Sequence, residues 1–313
     1  MNALKKIGIT LAWIGLVSAQ VLSQGNESAK GKQPEGKPLT FSVNVGLVLL
    51  PVTVLDKSGN WVTGLQEKDF SVFEDGVQQS LEIFDNKDMP VALGLMIDNS
   101  TSMAPMRAEV IAAAMALAQS SNPDDEIFVS HFSERVFFAL RLKEAFARNL
   151  NVFRAAVTNM PDSGRTALYD AVYAGLEHAK LSALQKRVLV IISDGADNAS
   201  KHTLNEALDS SKTSSALVYS IGIFDERNKS KRPEILEQLA DISGGRAFFP
   251  ERVSELPETC RRIAADIRSQ YTLGYIPSNQ NKDGKFRKIR VEVRSPQQDK
   301  LTVRTRSGYS LAK

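Results

Sequence analysis

The central part of the chain, residues 89–268, alternates between strand-like and helix-like hydrophobic patterns. Residues 91–97 are apolar without interruption, and residues 187–192 are rich in β-branched side chains, as expected for parallel strands buried on both faces. The other predicted strands cover residues 126–132, 217–223 and 246–249, and the predicted helices cover residues 106–119, 148–160, 167–179, 204–211, 233–242 and 253–268. This alternation predicts an α/β fold with a doubly wound, mostly parallel, Rossmann-like sheet.

Strand-like alternation also lies on both sides of this central part. Predicted strands occur before it at residues 41–45, 48–55, 69–74 and 77–84, and after it at residues 270–276, 286–294 and 301–306. Asp75-Gly76 is typical of a tight hairpin turn. Each flanking part is too small to fold alone, so together they predict one split all-β, sandwich-like domain. The alternative is two separate β appendages, because alternation does not reveal which strands pair.

These patterns predict the domain boundaries. Lys5 and Lys6 precede an apolar run at residues 7–19 that ends in small residues, which indicates a signal peptide over residues 1–19 and a secreted or periplasmic protein. The run is shorter than the about 20 residues of a spanning helix, although an uncleaved anchor is the alternative. Residues 20–40 form a predicted flexible linker. The predicted β segments are residues 41–88 and 269–313, and the α/β domain between them is residues 89–268.

Composition narrows the function classes. The 313 residues include 39 basic and 36 acidic side chains, a formal net charge of +3, which gives no electrostatic argument for nucleic acid or an anionic membrane as the partner. Cys260 is the single cysteine, so no intrachain disulfide can form. Two neighbouring arginines would lower the pKa of this thiol, but a packed, unreactive thiol is favoured.

Polar side chains stand at three turns of the predicted α/β part. Asp98, Ser100 and Ser102 follow its first strand, Thr166 precedes a helix, and Asp194 follows a later strand. Ligands bind at the carboxyl ends of strands in open α/β sheets, where these turns would meet. Hydroxyl and carboxylate oxygens without His or Cys suit Mg²⁺, Mn²⁺ or Ca²⁺ rather than Zn²⁺. The alternative is that these residues only cap helices and form turns.

The set resembles the metal-ion-dependent adhesion site (MIDAS) of von Willebrand factor A (VWA) domains, which runs Asp-x-Ser-x-Ser, then Thr, then Asp. The resemblance implies that Ser100, Ser102 and Thr166 coordinate the ion directly, with Mg²⁺ as the expected ion. Asp98 and Asp194 would act largely through bound water. It also implies a vacant coordination position that an acidic side chain of a protein ligand fills.

The resemblance extends beyond these turns. The strings at residues 52–56, 69–76 and 271–275 look like those of a group of secreted bacterial proteins called VWFA-related. One departure is Arg165, which stands where many relatives have a small residue. This arginine either points to solvent, which is usual for a loop arginine, or helps to hold an acidic partner.

The sequence offers little for an enzyme. It has no phosphate-binding Gly-rich loop, no Gly-x-Ser-x-Gly elbow and no His-Glu-x-x-His helix. His131, His178 and His202 are expected to be structural. The sequence therefore predicts a non-enzymatic adhesion module. The alternatives are a scaffold with a vestigial metal site and a metal-assisted hydrolase, for which Asp197 is the nearest candidate base.

Overall fold

The computed structural model describes residues 46–140, 144–147, 149–160, 164–224, 231–281, 283–295 and 300–310. The predicted signal peptide, the linker and the strand at residues 41–45 lie outside these ranges. In chain order, the strands are β1 (Val48–Leu55), β2 (Phe70–Glu74), β3 (Val77–Gln79), β4 (Leu81–Asp85), β5 (Ala92–Asp98), β6 (Glu126–Phe132), β7 (Val136–Phe138), β8 (Arg187–Ser193), β9 (Ala216–Gly222), β10 (Arg246–Phe248), β11 (Tyr271–Tyr275), β12 (Phe286–Val293), β13 (Thr302–Arg304) and β14 (Gly308–Ser310). The α-helices are α1 (Arg107–Gln119), α2 (Leu150–Thr158), α3 (Leu168–Ala179), α4 (Leu204–Thr213), α5 (Pro233–Ser243) and α6 (Leu256–Arg268).

The central part folds into a six-stranded sheet in the order β10-β9-β8-β5-β6-β7. Every neighbouring pair is parallel except β6 and β7, which are antiparallel. Side chains of α1, α2 and α6 pack into one buried cluster with the sheet, and those of α3, α4 and α5 pack into a second. The predicted α/β fold with helices on both faces is therefore confirmed.

Close packing of α3 on this sheet depends on small residues. A Cβ at Gly94 in β5 would lie 2.2 Å from Cζ of Phe128, and one at Gly175 in α3 would lie 2.8 Å from Sδ of Met96. On the opposite face, Cys260 of α6 is fully buried, and this burial raises the pKa of its thiol to about 12. Arg261 lowers that pKa by less than burial raises it, so the packed thiol is the correct interpretation.

Two further sheets combine strands from before and after the central part. Their orders are β13-β1-β11-β4 and β14-β12-β2-β3. For example, β1 pairs with β11, and β2 pairs with β12, both antiparallel. The Asp75-Gly76 hairpin between β2 and β3 is confirmed, with both residues at positive φ, 49° and 85°, as a type I′ turn requires. One buried apolar cluster takes side chains from both sheets.

Several elements differ from the sequence prediction. The single strand predicted at residues 77–84 is divided at Ser80 into β3 and β4, which belong to different sheets. The short strands β7 and β14 were not predicted, because three residues are too few to establish an alternating pattern. Helix α2 begins after Asn149, whose side chain accepts hydrogen bonds from the next turn's backbone, two residues later than the start predicted at residue 148.

A buried polar group joins these two β sheets. The Glu74 carboxylate accepts hydrogen bonds from the hydroxyls of Tyr275 at 2.7 Å and Tyr309 at 2.8 Å. It also forms an ion pair with Arg287, 3.0 Å away, and both side chains are 2% exposed. Tyr275 belongs to the first sheet, whereas the other three belong to the second, so this group fixes one sheet relative to the other.

A second polar group joins the β strands to the α/β part. Asp266 of α6 accepts hydrogen bonds from the Trp61 indole at 2.6 Å and from the Tyr219 hydroxyl of β9 at 2.7 Å. Arg304 of β13 forms an ion pair with the same carboxylate at 2.7 Å. Burial of the Tyr219 hydroxyl, and then the nearby carboxylate, raises the pKa of that tyrosine well above its usual value. This tyrosine is therefore a hydrogen-bond donor throughout the physiological range.

Candidate metal centre

The first turn of the site follows β5, which lies between β8 and β6 in the parallel sheet. The strand ends at Asp98, which is 2% exposed, and a 3-10 turn over Thr101–Met106 leads into α1. The Asn99 amide donates to the Phe132 carbonyl at 2.7 Å, which fixes the turn to the end of β6. The Ser100 amide donates to Oδ1 of Asp98 at 2.9 Å. This bond folds the backbone so that the two side chains stay close.

The second carboxylate follows β8, the neighbouring strand. The Ala196 amide donates to Oδ1 of Asp194 at 3.0 Å, and Gly195 between them adopts a φ of 80°. A Cβ at this glycine would lie 2.3 Å from the Arg232 carbonyl oxygen, so both its conformation and its surroundings require glycine. The Arg232 amide in turn donates to the Asp194 carbonyl at 3.0 Å. The loop that carries Asp194 is therefore held from both sides.

A chain of hydrogen bonds connects the two turns. Ser100 Oγ and Ser102 Oγ are 3.0 Å apart, and Ser102 Oγ donates to Oδ2 of Asp194 at 2.9 Å. On the other side, Ser193 Oγ donates to Oδ2 of Asp98 at 2.6 Å. Each carboxylate thus has one oxygen held by its own turn and the other held by a hydroxyl of the neighbouring turn. Four of the five predicted residues therefore lie within one hydrogen-bonded group.

Backbone hydrogen bonds hold the Thr166 loop at the same edge of the sheet. The Thr101 amide donates to the Gly164 carbonyl at 3.0 Å, which places the two loops side by side. The Thr166 amide donates to Oδ1 of Asn198 at 2.9 Å, and the residue is 3% exposed. Helix α3 begins after Ala167, and Ser100 makes no capping hydrogen bond to its 3-10 turn. Helix capping therefore does not account for Ser100 or Thr166.

The electrostatics of the site favour a bound cation. Burial raises the pKa of Asp98 to about 6, the nearby Asp194 carboxylate raises it further, and the hydrogen bonds from Ser100 and Ser193 oppose this shift. A cation near both carboxylates would offset this burial and repulsion and favour their ionised forms. Among the described residues, no group of three or more His, Cys, Asp or Glu side chains is arranged to hold a metal ion, so a cation at this edge would also need hydroxyl or water ligands. Carboxylates with neutral hydroxyls fit a hard divalent cation.

Arg165 and Asp197 lie outside the hydrogen-bonded group that contains Asp98 and Asp194. Arg165 is exposed, and its guanidinium donates to the Asn198 carbonyl. Asp197, the candidate base, accepts a hydrogen bond from the Ser200 hydroxyl at 2.5 Å and one from the Tyr169 amide at 3.2 Å, so it organises the start of α3. Neither residue has a contact here that indicates catalysis.

The three histidines have structural contacts. His131 Nε2 lies 2.9 Å from the Ala156 carbonyl, and the His178 ring stacks on Phe138 with centroids 4.2 Å apart. His202 Nδ1 lies 2.7 Å from Oδ1 of Asp170. Burial lowers the pKa values of His131 and His178, which keeps both rings neutral near pH 7.

Sequence reasoning missed Ser193 and Asn198. Ser193 is completely buried and binds Asp98, and Asn198 holds the Thr166 loop. A polar residue at the last position of an otherwise apolar strand was the available signal for Ser193. Asn198 could not be found from the sequence, because its contact crosses between two loops.

Comparison with known proteins agrees with this geometry. Residues 93–196 match the family model described as the von Willebrand factor type A domain. A protein described as von Willebrand factor type A from Catenulispora acidiphila has a similar structure, with 13% identity and a TM-score of 0.52 over 80% of this chain and 76% of that one. No curated protein sequence matches. The fold and the polar turns are thus similar to those of a von Willebrand factor type A domain, and the family match covers residues 93–196.

Two other solved structures resemble this chain more weakly. Proximal thread matrix protein 1 from the mussel byssus matches with 17% identity and a TM-score of 0.48, over 58% of this chain and 49% of that one. The match therefore spans about half the length of the mussel protein, which is also known with zinc in its MIDAS motif. An aerotolerance-related membrane protein from Bacteroides fragilis matches with 14% identity and a TM-score of 0.44, over 56% of this chain and 98% of that one.

Proposed function

We propose that this protein is an exported, non-enzymatic binding module that engages a protein ligand through a divalent cation. Asp98, Ser100, Ser102, Thr166 and Asp194 would hold the ion, and an acidic side chain of the partner would complete its coordination. The observation that carries this proposal is the continuous hydrogen-bonded chain from Asp98 through two serines to Asp194, at the edge of the sheet where α/β folds bind ligands. The family match over residues 93–196 supports it.

The donor chemistry explains why such a site would serve adhesion. Hydroxyl ligands are neutral, so a bound ion keeps much of its positive charge and attracts a carboxylate of the partner. Mg²⁺ is the ion we propose, with Mn²⁺ or Ca²⁺ as alternatives, because all three prefer oxygen ligands. Ser102 and Arg165 are both exposed, so an incoming ligand can reach the edge of the site. Arg165 would help to hold an acidic partner by turning towards it.

We also propose that the two four-stranded sheets form one split β domain, into which the α/β domain over residues 89–268 is inserted. Their shared apolar cluster and the buried Glu74 group support this organisation. Export rests on the predicted signal peptide over residues 1–19. Among the described residues, no helix is both long and apolar enough to cross a bilayer.

Titration calorimetry tests the metal site. We expect Mg²⁺ or Mn²⁺ to release or absorb heat with the wild-type protein and to raise its melting temperature, since ligand binding to the folded state stabilises it. Asp194→Ala and Ser102→Ala should abolish both effects, and the matched control Asp209→Asn, on α4, should change neither. If the wild-type protein shows no heat and no shift in melting temperature, the site does not bind metal and the scaffold alternative replaces this proposal.

Binding to peptides tests the role of the partner. Immobilised peptide pools that contain one Asp or Glu should retain the protein in Mg²⁺ and release it in EDTA, whereas matched pools with Asn or Gln should not retain it. Equal retention by both pools would contradict coordination by an acidic side chain. A panel of esters and phosphates tests the enzyme alternative, which would be supported by metal-dependent turnover that Asp98→Ala removes.

A further inference from the structure

A cavity lies at the opposite edge of the parallel sheet from the candidate metal centre. It has a volume of about 200 Å³. One side is formed by residues at the amino ends of three parallel strands: Met89 near β5, Lys186 directly before β8 and Ser215 directly before β9. Leu49 of β1 and Arg306 before β14 form the other side. The cavity therefore lies where the α/β sheet meets the β sheets. Since one water needs roughly 10–15 Å³ of such space, a small organic molecule fits.

Two buried cations line this cavity. Lys186 and Arg306 are both 8% exposed. Lys186 Nζ donates to the Ile267 carbonyl at 2.6 Å, and Arg306 Nη2 donates to the Leu49 carbonyl at 3.0 Å. Within the part of the chain that the structure describes, neither forms an ion pair with a carboxylate, and no Asp or Glu lines the cavity. The lining is therefore positively charged.

One of the two cations also lacks a hydrogen-bond acceptor. The Nε–H of Arg306 is buried and has no acceptor among the described residues. Its guanidinium lies over the Tyr309 ring, 5.4 Å from the centroid, which compensates only part of the lost hydration. An unpaired buried charge and an unsatisfied buried donor are both costly, and an anionic acceptor in the cavity would compensate both.

The electrostatic environment is consistent with this conclusion. Burial lowers the pKa of Lys186 to about 8, and the carboxylates of Asp88, Asp125 and Asp266 compensate only in part. Asp88 and Asp125 are themselves paired with Arg268. Burial also lowers the pKa of Arg306, and the groups that oppose the shift are two tyrosines, not a carboxylate.

We infer that this cavity is a binding site for a small organic monocarboxylate with a short apolar chain. The carboxylate would lie between Lys186 and Arg306 and accept the Nε–H of the arginine. Leu47, Leu49 and Pro51 of the β1 region, which line the cavity together with Val48 and Met89, would pack against the apolar chain. Hydroxyls of Ser215, Thr272 and Tyr309 offer further donors. This site is independent of the metal centre and of the proposed adhesion.

Calorimetry on the full chain with hexanoate, hexanamide and inorganic phosphate tests the inference. Hexanoate should bind, and the neutral amide and phosphate should bind at least about tenfold more weakly, since a charge-assisted hydrogen bond is worth about that much. Lys186→Met and Arg306→Met should each weaken hexanoate binding by at least about tenfold. The matched control Arg135→Met, at an exposed loop, should bind as the wild type does.

A second measurement does not depend on whether these variants fold. In the wild-type protein labelled with ¹³C at methionine methyls, hexanoate should shift the Met89 resonance, while the Met103 resonance beside the metal centre should stay unchanged. Absence of hexanoate binding, equal binding of hexanamide, or stronger binding of phosphate would overturn the inference. So would binding that leaves the Met89 resonance unchanged.

Discussion

Replacement of Glu74 by Gln is the sharpest test of how the two β sheets are held together. Gln keeps the size of the side chain but removes its charge and replaces one acceptor oxygen with an NH₂ group. In the native protein this side chain receives two tyrosine hydroxyls and the Arg287 guanidinium at 2.7, 2.8 and 3.0 Å. The substitution leaves the buried Arg287 without a counter-charge. It also places the NH₂ group of Gln beside the tyrosine hydroxyls and the guanidinium, which are themselves donors.

The expected effect follows from the burial of the pair. Removing one partner of a buried ion pair costs about 3–5 kcal/mol, because the remaining charge stays desolvated. Arg287 also donates to the carbonyls of Asn279 and Asn281, which satisfy part of its hydrogen-bonding capacity. We therefore expect Glu74→Gln to lower the free energy of unfolding by about 3 kcal/mol, at the lower end of that range.

Equilibrium urea unfolding followed by circular dichroism measures this change. Glu292→Gln is the matched control, because Glu292 forms an exposed pair with Arg290 on the same strand β12. That substitution should change the free energy of unfolding by no more than about 1 kcal/mol. If the two variants lose similar stability, the buried group does not stabilise the junction of the sheets. A Glu74→Met, Arg287→Leu double variant should recover much of the loss, because it leaves no buried charge.

Three further predictions concern the α/β part and its edge. Gly94→Ala should destabilise the fold by about 1–3 kcal/mol or more, measured by urea unfolding, because the added methyl overlaps the ring of Phe128. Cys260 should react with a thiol reagent at pH 8 only as fast as the protein unfolds, and rapid labelling of the native protein would contradict its burial. Burial lowers the pKa of Lys186 to about 8 in the folded protein, so the unfolded chain binds this proton more tightly than the folded protein does. The free energy of unfolding of the wild type relative to Lys186→Met should therefore rise with pH between about 8 and 10.5. Urea titrations at pH 7 and pH 10.5 measure that difference, and an unchanged difference would refute the assignment.

The sequence predicted the α/β core well because its signals are local and strong. Strands β5 and β8 are apolar except at their ends, and each ends within one residue of the predicted end. Asp98 and Asp194 each lie at or just after the end of a parallel strand. Because parallel strands bring their carboxyl ends to one edge of the sheet, locating the strand ends also locates these two residues. The carboxylates could therefore be placed together before any pairing was known.

The features that the sequence did not predict depend on contacts between residues far apart in the chain, which a pattern along the chain does not reveal. Nothing in the alternation of residues 77–84 indicates that Ser80 separates strands of two different sheets. The hydrogen bonds of Ser193 to Asp98 and of Asn198 to Thr166 join residues far apart in the chain. The cavity beside Lys186 and Arg306 also depends on the approach of the β sheets to the amino edge of the parallel sheet.

The pairing of β4 with β11 has a consequence for the order of folding. Asp85 lies opposite Thr272, so the chain leaves one strand and returns to its neighbour after roughly 190 residues. Closing so long an unfolded loop costs about 4–5 kcal/mol of chain entropy. Prior folding of the intervening segment removes most of that cost, because its two ends then emerge near each other. We therefore expect amides of β5 and β8 to gain protection from hydrogen exchange before those of β11, and pulse labelling during refolding measures that order.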